Sequence, residues 1–383
     1  MSSTILLPER QLGLRGRLGR LHILLLLLLG AIGGIGVMTL YSVQQGSWDP
    51  YAIRHLIRFA FAAIILLAIA VTPLRIWLSA AYPIYGAVLI LLVLVPIIGV
   101  TNNGAQRWIN FPGMQIQPSE LMKVALVMAL ARYYHGLEYK KVSHIFGLIP
   151  PMVMIGVPVG LVFIQPDLGT ALLLGVSGIS VVLLAGLSWR WLVLGLFGGL
   201  AAIATAIQTG LLKSYQIKRV TAFLDPTWDP LGANFHPNQS KIAIGSGGVE
   251  GKGFMEATQS QLGFLPEKHT DFIFTVFGEE FGLIGTLGLL ALYFFTFFLG
   301  TRIAMSAKSH FGRLLSMGIA ITFVSYVLIN TGMVMGLAPV VGVPLPLVSY
   351  GGTVMLAMMA GWGLVMCTWI HRHQDTLRKT GWR

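Results

Sequence analysis

Apolar residues fall along this chain in long runs, and neither the alternation of a half-buried strand nor the narrow stripe of a surface helix breaks them up. A helix crossing a hydrocarbon layer of roughly 30 Å needs about 20 such residues. Runs of that kind number about ten, and they cover 22–42, 56–71, 77–100, 119–134, 145–164, 170–187, 191–212, 272–302, 314–335 and 353–370. Pro, Gly and charge clusters end them. The pattern predicts an all-α integral membrane protein: a polytopic bundle of about ten transmembrane helices, one domain spanning 1–383, with one large extracytoplasmic loop at 213–271 between spans seven and eight.

Composition agrees with lipid as the main solvent. A chain of 383 residues that is 55% hydrophobic and 10% charged has too little polar surface to cover a soluble globule. Because apolar runs recur to the last residues, the first run reads as a retained span and not as a cleaved leader. Cys367 is the lone cysteine, which rules out an intramolecular disulfide and a thiolate metal cluster.

The formal charge of +12 raises nucleic acid as a partner until the bases are placed. With the N-terminus inside, the inner segments hold Arg10, Arg15, Arg17, Arg20, Arg75, Arg132, Lys140, Lys141, Arg190, Arg302, Lys308, Arg313, Arg372, Arg378, Lys379 and Arg383, while the short outer segments hold Arg54, Arg58 and Arg107. That asymmetry is the signature of cytoplasmic loops, to which a long translocated loop contributes little. Both termini are expected in the cytoplasm, and nucleic acid drops out as a partner.

The 213–271 segment is the anomaly. Loops this long inside compact proteins are functional or disordered, and Ile217, Val220, Phe223, Trp228, Phe254 and Leu265 argue against disorder. Residues 239–244 suit a short amphipathic helix ended by Gly245. The glycine-rich run 244–253 lacks the spacing of a phosphate-binding P-loop, since Ser246 and Gly253 stand where Gly and Ser or Thr are needed. It is read as flexible backbone near a polar ligand. The histidines show no metal-ligand spacing apart from the terminal pair His371 and His373.

Five acidic residues at four places stand out, and the first three places carry two readings each. Asp271, just before the eighth span, is a helix N-cap or an active-site acid, and its neighbours Lys268, His269 and Thr270 and the polar run Thr258, Gln259, Ser260, Gln261 favour the second. Asp167 before the sixth span presents the same choice. Glu120 and Lys123, one turn apart in the fourth span, are an internal ion pair or a cation held for a phosphate group, with Arg107 as a second donor. Glu279 and Glu280, about 12 Å below Asp271 at the helical rise, are expected to face the bundle interior and hydrogen-bond to neighbouring helices.

Several blocks resemble the SEDS family (shape, elongation, division and sporulation). They are Gln-Ser-Lys-Ile-Ala-Ile-Gly-Ser-Gly-Gly from Gln239, Thr-Gln-Ser-Gln-Leu from Thr258, Phe-Leu-Pro-Glu-Lys-His-Thr-Asp-Phe-Ile-Phe from Phe264 and Glu-Glu-Phe-Gly from Glu279. A further block, Pro-Val-Val-Gly-Val-Pro-Leu-Pro-Leu-Val-Ser-Tyr-Gly-Gly from Pro339, looks like the elongation branch; the division branch tends to carry Leu-Pro-Thr-x-Gly-Leu-Thr there. Ala257 stands where the family usually has Gly.

The resemblance implies a peptidoglycan glycosyltransferase of the bacterial cytoplasmic membrane, joining lipid II units into β-1,4 glycan strands at the extracytoplasmic face, for elongation and rod shape. Its partners would be a class B penicillin-binding protein, the nascent glycan strand and membrane lipids. By the same resemblance Asp271 is the catalytic aspartate, with Lys123, Glu120, Arg107, Asp167, Lys241, Thr258, Gln259 and Ser260 as substrate-binding residues. No protein metal site is implied, although the substrate diphosphate gives a divalent cation a place to bind. A lipid II flippase and a non-catalytic scaffold for the transpeptidase are the rival readings. Transport predicts a polar pathway reaching both membrane faces, whereas the polar candidates here crowd the outer half.

Overall fold

The computed structural model describes residues 13–102, 105–111, 114–208, 219, 221–225, 228–229, 232, 234–263, 265 and 267–374. In chain order the helices are α1 (Leu14–Leu18), α2 (Ile23–Val43), α3 (Ala52–Val71), α4 (Leu74–Ile98), α5 (Pro118–Gly136), α6 (Ile145–Ile164), α7 (Leu168–Leu184), α8 (Trp189–Gln208), α9 (Phe235–Ser246), α10 (Thr258–Gln261), α11 (Ile273–Ser306), α12 (His310–Val334) and α13 (Gly352–Ile370).

Each apolar run has a helical counterpart within a few residues. Seven of the described helices, α2, α3, α4, α6, α11, α12 and α13, are long and apolar enough to cross a membrane. The other three runs differ for separate reasons. Helix α5 carries Glu120, Lys123 and Arg132, α7 has 17 residues, and the run expected to end at 212 is described only to Gln208.

The buried centre of the bundle is made by α5, α12 and α13, with α13 packed on α3, α12 on α5, α7 and α11, and α4 on α5. Lipid supplies no hydrophobic drive between apolar helices, so close approach through small residues has to do that work. Gly318 of α12 meets Val127 of α5 and Val181 of α7, and Gly363 of α13 lies against the Leu66 carbonyl of α3; a methyl group at either site would collide.

The all-α expectation needs one correction. Strands β1 (Val100–Asn102), β2 (Ala105–Phe111) and β3 (Met114–Ile116) form an antiparallel sheet in the order β1-β2-β3 between α4 and α5. The sequence holds the hairpin dipeptide Asn103–Gly104 between β1 and β2, a signal outweighed by the long apolar runs on either side. The sheet matters because β2 carries Arg107.

The glycine-rich segment also has a different role from the one expected. Helix α9 runs through Ser246, two residues past the predicted stop, and the chain then crosses α11 where Gly282 (φ 60°, ψ −158°) breaks the helix. The break frees carbonyls on one side and N–H groups on the other. Lys252 N and Gly253 N donate to the carbonyls of Glu279 and Glu280 (3.0 and 3.1 Å), while Leu283 N and Ile284 N donate to those of Gly248 and Val249 (3.0 and 3.1 Å). A side chain at Gly247 or Gly251 would strike the α11 backbone. These glycines permit backbone-to-backbone contact.

Candidate functional site

Asp271 sits in the turn that leads into α11, and its backbone is gripped by the segment between α12 and α13. Asn330 Nδ2 of α12 donates to the carbonyls of Asp271 (2.9 Å) and Val343 (2.6 Å). Ser349 Oγ donates to Thr270 O (2.6 Å) and accepts from Leu345 N (2.7 Å), and Tyr350 N donates to His269 O (2.8 Å). Tyr293 Oη and His55 Nε2 hold the carbonyls of Pro346 and Leu347 in turn (2.6 and 3.0 Å). The Pro-rich block at 339–351 is thus a clasp around the acid.

Asp271 is not the cap of α11. The cap position belongs to Phe272, and no side chain there accepts a hydrogen bond from the first turn. The Asp271 carboxyl faces Gly342, whose positive φ of 73° leaves no side chain in the way; a methyl group there would lie 3.3 Å from Oδ2. Part of the residue reaches the surface, yet burial of the carboxyl raises its pKa to about 7, with the Glu267 carboxylate the second cause. Arg219 and Arg107 oppose that rise, and Asp167 adds to it. Four segments distant in sequence therefore meet electrostatically at one oxygen pair.

Asp167 resolves the other way. It caps α7, accepting from Thr170 N (3.3 Å), and it also accepts from Gln117 Nε2 (3.0 Å). Arg107 Nε lies 3.8 Å from its Oδ2 and donates to Gln165 O (3.2 Å), while Nη2 donates to Pro166 O. The guanidinium of β2 thus pins the α6–α7 turn.

Lys123 and Glu120 form the internal ion pair. Lys123 Nζ lies 2.6 Å from Glu120 Oε1, Tyr326 Oη of α12 donates to Oε2, and the ammonium stands 4.6 Å from the Tyr326 ring centre. Lys123 is 0% exposed and Glu120 2%. The pair locks α5 to α12, and a bound phosphate has no direct access to it.

Glu279 and Glu280 are buried as expected, and Glu279 finds its partners in the 213–271 segment, two of them on the short helix α10. Lys252 Nζ (2.5 Å), Thr258 Oγ1 (3.0 Å) and Gln259 N (3.1 Å) all donate to its Oε1. Glu280 accepts from Ser42 Oγ of α2. Ser260 offers its carbonyl to Lys268 Nζ (2.9 Å), whose pKa is lowered by burial. Thr258, Gln259 and Ser260 therefore brace the approach to Asp271. Ala257 starts α10 at φ −70°, which requires no glycine, and its methyl is buried with Val43 and Val276.

Lys241 lies on the exposed face of α9 and lines a groove with Arg219, Phe223, Pro237, Met333 and Val340. Arg219, Glu267, Asn330 and Tyr326 were missed by sequence reasoning. A base in a basic loop and a tyrosine in an apolar helix carry no local signature; the family blocks from Phe264, which contains Glu267, and from Pro339 pointed to this neighbourhood. Among the described residues no three His, Cys, Asp or Glu side chains come together as a metal site.

A family profile described as cell cycle protein, of the FtsW, RodA and SpoVE type, matches residues 19–375. The peptidoglycan glycosyltransferase MrdB of Escherichia coli (strain K12) is 45% identical over 323 residues, which is 84% of this chain and 86% of that protein. The rod shape determining protein RodA of Thermus thermophilus superimposes with a TM-score of 0.70 at 31% identity, covering 93% of this chain and 98% of that one. A chain from a peptidoglycan synthase complex, solved for the coordination of polymerization and crosslinking, superimposes with a TM-score of 0.80 at 33% identity, over 93% of this chain and 99% of that one.

Proposed function

We propose a function from the premise that the chain belongs to the SEDS family, the cell cycle proteins of the FtsW, RodA and SpoVE type: it is a peptidoglycan glycosyltransferase that polymerises lipid II. The observation that carries the mechanism is the Asp271 carboxyl, uncommitted to capping, open toward Gly342, and poised near neutral pH at about 7. A general base works best when its pKa lies near the working pH.

Asp271 accepts the proton of the acceptor 4-hydroxyl as that oxygen attacks the anomeric carbon of the strand carried on a polyprenyl diphosphate. The α-linked diphosphate leaves and a β-1,4 bond forms. Glu267 keeps the base from being too weak by raising its pKa, and Arg219 and Arg107 limit that rise. Arg107 and Asp167 fix the turn beside the base, Glu120 and Lys123 lock the helices behind it, and Thr258, Gln259 and Ser260 brace the loop that delivers it. Lys241 faces the substrate groove.

The chain is a multi-pass protein of the bacterial cytoplasmic membrane with about ten spans, both termini inside and Asp271 at the outer face, one SEDS-type domain with its large loop at 213–271. Its partner is a class B penicillin-binding protein, a reading supported by the likeness to the peptidoglycan synthase complex. The test is glycan strand synthesis from lipid II by wild type and Asp271→Asn, each with and without the transpeptidase. Wild type is expected to polymerise and the variant to fold without polymerising; strand synthesis by the variant near the wild-type rate would remove Asp271 from the mechanism.

A further inference from the structure

A carboxylate used as a base has to meet the acceptor hydroxyl from one direction, and a side chain is aimed only as well as the backbone that carries it. Peptide units are planar, so the direction of a Cα–Cβ bond is set once the units on either side of that Cα are fixed. At Asp271 both are. The unit before its Cα holds the Thr270 carbonyl, which accepts from Ser349 Oγ (2.6 Å), and the unit after it holds the Asp271 carbonyl, which accepts from Asn330 Nδ2 (2.9 Å). One residue earlier, the His269 carbonyl accepts from Tyr350 N (2.8 Å). Three successive carbonyls are therefore tied to one wall, and the carboxyl keeps only its own side-chain torsions.

Asn330 also fixes a spacing. The same nitrogen donates to Val343 O (2.6 Å), and Val343 follows Gly342, the glycine that the Asp271 carboxyl faces. One amide thus reaches both the chain that carries the acid and the chain opposite it. Turned over, that amide would set its oxygen against two carbonyl oxygens, so the network allows one orientation. Asn330 is 0% exposed and Ser349 3%. Asn330 Oδ1 has no hydrogen-bond partner among the described residues. A buried amide that leaves its oxygen unpaired is destabilising on that side, and what its two donors fix is the direction and spacing of the acid.

We infer that Asn330 and Ser349 are positioning residues of the sugar transfer, acting through the Asp271 backbone to aim its carboxyl at the acceptor hydroxyl, an assignment that rests on the glycosyltransferase reading. Misplacing a reacting group by about 1 Å can cost roughly 10²-fold in rate. The pH profile responds as well. Glu267 in the same turn, Arg219, Asp167 at the start of α7 and Arg107 of β2 are the charged groups that act on this carboxyl, and burial is the largest influence on it. A carboxyl let out toward water loses that burial and titrates at lower pH, so the acid limb of kcat/KM moves down with it. A residue that only holds the fold together changes the amount of active protein and leaves the midpoint in place.

The experiment follows lipid II polymerisation by the purified full chain with the transpeptidase present, per folded molecule, for wild type, Asn330→Leu, Ser349→Ala and Ser349→Thr. Leu has nearly the shape of Asn and removes both donors, while Thr keeps the hydroxyl of Ser349. Asn330→Leu is expected to lower kcat by about 10- to 100-fold with KM within about twofold of wild type, and to move the acid midpoint down by about one unit. Ser349→Ala should do the same to a smaller degree, and Ser349→Thr should stay near wild type. A second readout needs no turnover: infrared difference spectra, with Asp271→Asn subtracted to isolate the Asp271 carboxyl, should show its titration shifted down in Asn330→Leu and Ser349→Ala.

Wild-type kcat in folded Asn330→Leu overturns the inference, and so does a loss confined to KM or a rate loss with an unmoved midpoint. If Asn330→Leu does not fold, Ser349→Ala decides by the same criteria. A wild type that polymerises beside variants whose carboxyl titration stays put sinks the positioning role alone. A wild type that makes no glycan, while the carboxyl titration shifts in both variants, sinks the glycosyltransferase reading and leaves the aiming of Asp271 standing.

Discussion

The start of α7 and the start of α11 each present an acid just ahead of an apolar helix, and they treat it in opposite ways. Asp167 is saturated: it caps α7, accepts from Gln117 and neighbours Arg107. Asp271 lies one residue ahead of the α11 cap, and the protein grips its backbone through Asn330 while its carboxyl is left to face a glycine. An acid with all its lone pairs satisfied is a structural part. An acid held by its main chain, desolvated and set beside another carboxylate, carries the kind of perturbation that marks a candidate functional site.

The largest test of that contrast is Asp271→Asn. Its polymerisation rate should fall by about 10²- to 10⁴-fold, the range of general-base catalysis, while its melting temperature at pH 8 rises above wild type because a desolvated charge has been removed. A variant that loses both rate and stability would make Asp271 a second Asp167. Lys123→Met extends the comparison to the closed ion pair. It strands Glu120 in the core at a cost of about 3–5 kcal/mol, so folded yield by size-exclusion chromatography should collapse, and adding Glu120→Gln should restore most of it.

The pH profile is next in size. Because the folded pKa of Asp271 is raised to about 7, the base is charged above that value and kcat/KM should fall about tenfold per unit below it. Stability moves in the opposite sense. The folded chain keeps the proton between its ordinary value of about 4 and 7 while the unfolded chain loses it, so stability declines as pH rises through that window. Thermal melts of wild type and Asp271→Asn should converge below about 4, separate as pH rises to 7 and stay apart above it; a gap that is constant across this window would assign the difference to something other than titration. Asp167→Ala is the smallest effect, a loss of about 1 kcal/mol from the missing cap, read as a lower melting temperature with polymerisation per folded molecule reduced far less than by Asp271→Asn.

Much of the bundle was legible because apolar run length is a direct physical requirement, and the boundaries of α6 agree to the residue. The pairing of Glu120 with Lys123 was legible for the same reason: a charge at that depth needs a partner, and one stood a turn away. What escaped depends on contacts between distant segments. Spacing alone left Asp167 and Asp271 equivalent, since a cap is defined by a turn geometry that their flanking residues do not encode. The glycines of 247–253 read as flexibility because their partners, the backbone groups of 279–284, lie on another element. Tyr326, which completes the ion pair, is one aromatic residue among many in an apolar helix.

The stitched break at Gly282 bears on how the molecule is made. A lipid-facing helix satisfies its own backbone as it enters the bilayer, but α11 does not at this point, since its open carbonyls and N–H groups are completed by residues 248–253. Those residues stand ahead of α11 in the chain, so they are synthesised before the helix whose backbone they complete. Helix α11 therefore reaches its final form only with residues 248–253 docked against it. Shortening the chain between Gly253 and Glu279 should lower the yield of folded protein, read by size-exclusion chromatography, before any question of activity arises.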